Sequence, residues 1–384
     1  MRILFVADGR SPIAVQWIEH FSKTDHEVHL VTTFDCQPTL KLASLHFVPV
    51  AFSSSAAHPR GERNGLAAAL PTGLRTRLRN WLGPFTLSRA AEQLRAIISK
   101  VQPDLVHAMR IPYEGMLAAA SDPHTPLLIS SWGNDFTLHA RSNPFMGSAT
   151  RKAMHRADAL HSDTQRDVAL AAKWGLAAGK PTIVLPGNGG VRRNAFYPAK
   201  QEPAKLRVIN PRGIRSYVRS DVFFQSIPKV LIQMPEVEFE CPGMAGEPEA
   251  QRWLEKLNIE RSVTLTPKLN QNELADKYRT AKVMVSPSTH DGTPNSLLEA
   301  MACGVFPVLG DLDSIREWIT DGENGFLVNP SDPDALASAI LRALTDGKLR
   351  KSAADMNTRL ISERADFDKN MQLAEEFYRQ LIAS

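Results

Sequence analysis

The sequence predicts an α/β protein made of two Rossmann-like, doubly wound domains that face each other across a cleft. Three observations point there. The chain has 384 residues, too long for one typical core at roughly 150 residues per domain. It opens on a strand, a glycine-containing turn, a helix and a second strand, the unit of a parallel sheet. A second strand–helix alternation of similar size begins after a glycine- and proline-rich stretch.

The first unit reads in order. Ile3–Ala7 is a short apolar run, followed by Asp8-Gly9-Arg10-Ser11-Pro12 and a helical pattern from Ile13 to Phe21. Glu27 opens the next strand, and further strand-like runs fall at Phe47–Ala51, Leu105–His107, Leu127–Ser130, Ala159–Ser162 and Thr182–Leu185, with helical stretches between them. Pro186-Gly-Asn-Gly-Gly190, with Pro198, Pro203 and Pro211 beyond, marks the connection at about 186–204. Strands are then expected at Arg207–Asn210, Val237–Cys241, Val263–Thr266, Val283–Ser286 and Phe306–Leu309. Helices are expected at Val222–Met234, Gln251–Leu257, Glu273–Ala281 and Ser296–Cys303. Asp334–Leu344 and Phe367–Ile382 carry apolar residues at three- and four-residue spacing. The domains are therefore placed at 1–190, completed by a last helix at 367–384, and at 200–366.

Composition excludes several classes. Hydrophobic residues are 43% and charged residues 22% of the chain, ordinary for a globular protein. No apolar run approaches the ~20 residues of a membrane span, and the first residues turn acidic too soon for a signal peptide. Cys36, Cys241 and Cys303 are odd in number and widely spaced, giving neither a disulfide framework nor a metal pattern. A cytoplasmic protein with free thiols is expected. The net charge is +4, but His58–Arg95 holds seven Arg against two Glu, a local +5, so the remainder sums to −1. A local basic surface of this kind does not fit a general nucleic-acid binder.

The most informative segment runs from Ser286 to Val308. A strand ends at Ser286, a polar loop with Gly292 and Pro294 follows, and Asn295 or Ser296 is placed to cap a new helix. Free N–H groups at a helix start suit a diphosphate. Asp291 lies in the loop and Glu299 about one turn into the helix, two acceptors for sugar and ribose hydroxyls.

The spacing Asp291…Glu299, with Gly-Thr-Pro-Asn-Ser-Leu-Leu-Glu-Ala-Met-Ala-Cys-Gly between and after, resembles the E-x7-E signature of the retaining glycosyltransferases of family 4, which have the GT-B fold. Asp321-Gly-Glu-Asn-Gly-Phe-Leu-Val-Asn-Pro, the linker Leu185-Pro-Gly-Asn-Gly and Phe196-Tyr-Pro are similar to that family as well. The resemblance implies that Glu299 holds the donor ribose and Asp291 contacts the donor sugar, through a side chain one methylene shorter than the family's Glu. Gly292, Thr293, Asn295, Ser296 and Leu297 become donor-binding candidates beside them. It also implies an Arg and a Lys on the donor diphosphate. Arg212 falls at the first position and Arg219 at the second, with Arg215 as competitor. Fixed positive charge near a leaving diphosphate is what the chemistry needs.

In the first domain Gly9 resembles the glycine that lets the donor approach the backbone. Asp104-Leu-Val-His107-Ala-Met109 resembles an Asp-x-x-His-x-His strand end with Met109 at the second His, and His107 there reads more readily as a core histidine. Ser131-Trp132-Gly-Asn-Asp135 resembles a Trp-Gly-x-Asp loop, making Trp132 and Asp135 acceptor-side candidates. Together these imply a transferase that moves a sugar from a UDP- or GDP-sugar to a saccharide or lipid-linked acceptor, with retention, without metal or other cofactor, in polysaccharide or cell-envelope synthesis. The acceptor hydroxyl would attack on the face the diphosphate leaves, in a closed cleft that excludes water. Residues 73–85, with Leu74, Leu78, Trp81 and Leu82 at helical spacing among Arg75, Arg77 and Arg79, fit either peripheral contact with an anionic membrane or a core-facing helix with solvated arginines. A nucleotide-sugar epimerase and a non-catalytic protein, either sugar-nucleotide binding or a scaffold, are the rival readings.

Overall fold

A computed structural model describes residues 1–51, 53 and 81–383. The chain divides into two compact units, Met1–Gly189 with Met371–Ser384, and Gly190–Asn370. Each is a parallel sheet covered by helices.

In the first unit the strands are β1 (Arg2–Ala7), β2 (Glu27–Thr32), β3 (Ser44–Phe47), β4 (Leu105–Ala108), β5 (Leu127–Ser131), β6 (Ala159–Ser162) and β7 (Thr182–Val184). Their spatial order is β3-β2-β1-β4-β5-β6-β7. Every described pairing is parallel, so both faces are buried and the strands read as continuous apolar runs. Ile3 through Ala7 are fully buried. Helices α1 (Pro12–Ser22), α2 (Leu87–Val101), α3 (Met116–Ser121), α4 (Pro144–Arg156) and α5 (Gln165–Lys173) cover the sheet. Local signals set their starts: Asn143 accepts from the N–H groups of Phe145 and Met146, and Thr164 from that of Asp167.

The second unit orders β8 (Arg207–Ile209), β9 (Glu238–Pro242), β10 (Val263–Thr266), β11 (Val283–Ser286), β12 (Phe306–Gly310) and β13 (Phe326–Val328) as β10-β9-β8-β11-β12-β13. Its helices are α6 (Ser220–Gln233), α7 (Pro248–Leu257), α8 (Gln271–Arg279), α9 (Asn295–Ala302), α10 (Pro333–Thr345) and α11 (Gly347–Arg364). The last helix, α12 (Phe367–Ala383), begins in this unit and passes its residues from Met371 onward to the first.

In both units the strand order reverses once, at β1/β4 and at β8/β11. A ligand of a doubly wound sheet sits outside the carboxyl ends of the strands at that reversal. The loops after β1, β4, β8 and β11 are therefore the ones that matter.

Two sequence expectations need correction. The third strand is Ser44–Phe47, not Phe47–Ala51. Val48 N–H still reaches Thr32 O at 3.0 Å, but Pro49 has no N–H to continue the ladder. The second concerns helix α11, which carries no apolar signal in the sequence. Its buried residues are Arg350, Ala353, Asn357 and Ile361, a helical spacing occupied half by polar side chains, so no apolar stripe announces it. Asn357 and Asn324 hydrogen-bond each other at 2.8 and 3.0 Å, and Arg350 donates to the last carbonyls of α10.

Candidate active site

In the second unit β8 ends at Ile209. Asn210 then accepts the N–H of Arg212 at 3.2 Å, folding the loop back, and Gly213 takes φ +64°. The loop after β11 lies beside it because the two strands are neighbours. Thr289 N–H donates to Tyr217 O at 2.8 Å across this junction. The guanidinium of Arg212 meets Asp291 Oδ2 at 2.7 Å and Ser296 Oγ at 3.2 Å. Both charged side chains are nearly enclosed, at 12% and 13% exposure. The Nε–H of Arg212 is buried without an acceptor among the described residues.

Helix α9 starts differently from the expectation. Pro294 holds the cap position and no side chain caps the helix. Ser296, one of the two expected caps, accepts from Arg212 through its hydroxyl oxygen instead. Leu297 and Leu298 N–H reach Pro294 O, while the N–H groups of Asn295 and Ser296 have no acceptor among the described residues. Such a turn favours an anion through both its free donors and the helix dipole. Tyr278 OH donates to Ser296 O at 3.0 Å and fixes the turn from behind.

Glu299 sits one turn on. Burial pushes its carboxyl up to about 8, against the pull of Arg212, and the carboxyl has no hydrogen-bond partner among the described residues. Thr293 accepts from Trp318 Nε1 at 2.9 Å and Gly292 is buried beside it. Leu297 is fully buried with its N–H engaged, so it packs the core rather than lining the loop.

Arg219 stands apart from this group. It grips Asp221 with two bonds of 2.9 Å and Ser331 with one of 2.7 Å, on a backbone at φ +50°. Arg215 is exposed and donates to Tyr217 OH. Of the three arginines, only Arg212 joins Asp291 and Ser296.

In the first unit Gly9 N–H donates to Thr32 Oγ1 at 3.1 Å, and a Cβ there would lie 2.7 Å from Cys36 Sγ. The acceptor-side candidates separate. His107 is fully enclosed and belongs to a buried chain. His161 Nε2 must donate to the carbonyl of Leu185, 3.0 Å away, and burial lowers its pKa to about 4, so the ring is neutral. Its Nδ1 then accepts from Ser130, whose oxygen accepts from His107 Nε2–H, each at 2.8 Å. His107 Nδ1 accepts from Tyr378 OH, which accepts Trp17 Nε1–H at 2.9 Å. One donor direction runs from Trp17 to Leu185, with every buried group satisfied. His107 is thus a core histidine and not an acceptor contact. Tyr378→Phe keeps the stacking on Phe21, with centroids 4.7 Å apart, but strands the Trp17 donor and the His107 acceptor. It is expected to cost about 2–5 kcal/mol, read by urea unfolding.

Asp135 is also enclosed. It accepts the N–H groups of Ile111 and Trp132, both at 3.1 Å, and Arg110 Nε at 3.2 Å. Desolvation raises its pKa. Its work is to hold two loops, and Met109 is likewise buried. Trp132 keeps a buried Nε1–H without an acceptor among the described residues. Two further residues here belong to no motif: Arg110, at φ +124°, and Glu114, which follows Tyr113 at φ +72°. Glu114 is buried, accepts Thr33 Oγ1 at 2.6 Å, and is pushed up to about 7 by desolvation. Positive φ at non-glycine residues leaves no mark in a sequence, and such strain gathers at functional loops.

The family described as "Glycosyl transferases group 1" matches residues 214–346, and "Glycosyl transferase 4-like" matches residues 2–164. The chain belongs to the group 1, family 4-like glycosyl transferases. A D-inositol 3-phosphate glycosyltransferase of Streptosporangium roseum is 27% identical over 227 residues, 52% of each chain. A phosphatidyl-myo-inositol mannosyltransferase of Mycolicibacterium smegmatis is 30% identical over 188 residues, 47% of this chain and 48% of that protein. The chain thus spans about half the length of the curated relatives it matches. Among solved structures, sucrose-phosphate synthase from Thermosynechococcus elongatus has a TM-score of 0.75 at 17% identity, covering 100% of this chain and 99% of that one. Anabaena Alr3699/HepE in complex with UDP has a TM-score of 0.75 at 14% identity, covering 99% and 100%. These likenesses establish that this family member has the GT-B fold of two Rossmann-like domains.

Proposed function

We propose that this chain transfers a sugar from a nucleoside-diphosphate sugar to an acceptor hydroxyl, with retention and without a metal ion. The observation that carries the reading is the group at the β8/β11 reversal: Arg212 fixed by Asp291 and Ser296, two free N–H groups at the start of α9, and Glu299 with an unengaged carboxyl. A diphosphate would lie on Arg212 and the helix start, with the ribose diol on Glu299. A phosphate oxygen competes with Asp291 for the guanidinium, and its arrival frees the Asp291 carboxylate to accept a sugar hydroxyl. As the bond to the anomeric carbon breaks, charge grows on the leaving diphosphate, and Arg212 meets it with parallel donors already oriented. The acceptor oxygen bonds to the anomeric carbon on the face being vacated, and the departing phosphate oxygen takes its proton.

UDP-sugars are the first donors to test, since several GT-B structures similar in fold are complexes with UDP or UDP-glucose. Thermal shift against UDP-, GDP- and ADP-sugars is expected to raise the melting point in the UDP series. A ligand at ~100 times its Kd adds about 2.7 kcal/mol to stability. Stabilisation by no nucleotide sugar would leave the scaffold reading standing.

The acceptor reading includes peripheral contact with an anionic membrane. Most of the basic stretch that suggests it, residues 73–80, lies outside the described residues. Its end is described: Trp81, Leu82 and Phe85 are exposed, and the Trp81 and Phe85 rings pack edge-on against exposed Phe145 at 5.8 and 5.0 Å. Exposed aromatic clusters of this kind mark interaction surfaces. Among the described residues no helix is long and apolar enough to cross a membrane. Trp81→Ala with Phe85→Ala is expected to weaken binding to phosphatidylglycerol vesicles about tenfold in co-sedimentation, while UDP-sugar binding stays unchanged.

A further inference from the structure

The second unit holds a cavity of about 500 Å3 at the amino-terminal ends of β11 and β12, the sheet edge opposite the Arg212 group. Residues 198–203, the ends of α8 and α9 and the first turns of α11 form its walls. Its lining carries Lys200, Arg279, Lys282, Arg350 and Lys351 against Glu202 and Asp355, five positive charges to two negative, a net +3. Nothing in the transfer chemistry uses these residues.

The deepest cations are Lys282 and Arg350, with side chains 12% and 10% exposed. Their shared counterion is Glu202, 56% exposed, with its Oε1 at 3.4 Å from Lys282 Nζ and 2.5 Å from Arg350 Nη2. Arg350 is aimed independently of that carboxylate, because its Nη1 donates to Ala343 O and Leu344 O at 2.7 and 2.6 Å. Lys200 and Lys351 are exposed at the rim, and neither has an ion-pair partner among the described residues. Two desolvated cations need an anion, and the one they hold is a solvent-facing side chain on a loop. The volume suits a small ligand, and an arginine fork with a neighbouring lysine is chemistry for phosphate.

We propose that this cavity binds a compact phosphate-bearing small molecule. Its phosphate takes the place of the Glu202 carboxylate between Lys282 and Arg350, and Lys200 and Lys351 close over its outer side.

Isothermal titration of inorganic pyrophosphate into the full chain tests this. Two variants are compared with the wild type, Glu202→Gln and the double change Lys200→Ala with Lys351→Ala, and Arg212→Ala serves as the control at the other sheet edge. Removing the rival carboxylate is expected to tighten pyrophosphate about threefold or more. Removing the rim lysines is expected to weaken it about tenfold. Both rim lysines are exposed, so the double variant keeps its melting temperature and reads binding alone. Absence of binding, an affinity unchanged by both variants, or one that responds only to Arg212→Ala would each overturn the proposal.

Discussion

Arg212→Ala is expected to lower kcat by about 10²–10³, the usual effect of deleting one preorganised donor from a site of developing charge. Arg212 touches both carboxylate and helix start through separate nitrogens, Asp291 at 2.7 Å and Ser296 at 3.2 Å. Its removal takes away the diphosphate's cation and also breaks the ion pair with Asp291, whose side chain is only 13% exposed. Steady-state kinetics beside urea unfolding separates the two losses. Arg212→Lys restores the charge but presents a point where a fork is needed, so it is expected to recover less than about tenfold. Asp291→Asn keeps Arg212 and its bond to Ser296 and removes only the negative charge at Asp291. A kcat within tenfold of wild type for Arg212→Ala would shift the diphosphate contact to Arg215 or Arg219.

Glu299→Gln is expected to weaken UDP-sugar binding about 10- to 100-fold and, at alkaline pH, to make the protein more stable. The carboxyl is raised from 4.5 to about 8 by burial, so the folded state prefers it protonated. The cost of ionising it is absent at low pH, grows as pH rises through the interval from 4.5 to about 8, and is constant above. Glutamine has no such cost. Unfolding near pH 5 should therefore separate the two proteins little, and unfolding near pH 9 should favour the variant by on the order of 4 kcal/mol. A bound ribose diol donates to the ionised form, so donor affinity of the wild type should rise as the carboxyl ionises. This is a site held at the expense of stability. Equal stability of the two proteins near pH 9 would remove Glu299 from that role.

Much of the fold was legible because parallel strands buried on both faces are short apolar runs. Val263–Thr266 and Val283–Ser286 coincide with observed strands. The joint pattern around Asp291 and Glu299 showed where to look, since it combines a strand end, a loop and a helix start. Strand order was not legible, and it decides which loops become neighbours. Hence Arg212 and Asp291, separated by 79 residues, point in the sequence to separate ligand groups although they bond each other. Arg219 sits in the same arginine-dense loop, but its left-handed backbone and Asp221 turn it elsewhere. His107 matched a motif yet serves the core, because its partners Tyr378 and Ser130 come from distant segments. Arg110 and Glu114 carried no motif, and their interest comes from backbone angle and burial.

The route of the chain through the two units also orders its synthesis. Residues 190–370 form one uninterrupted unit, whereas the first unit takes its last piece from Met371 onward. A ribosome delivers the first seven strands early, but Trp17 and His107 wait for Tyr378, 361 and 271 positions later. The nascent first unit must therefore hold an unfinished polar core while the second can close as soon as it emerges. The half made first is completed last.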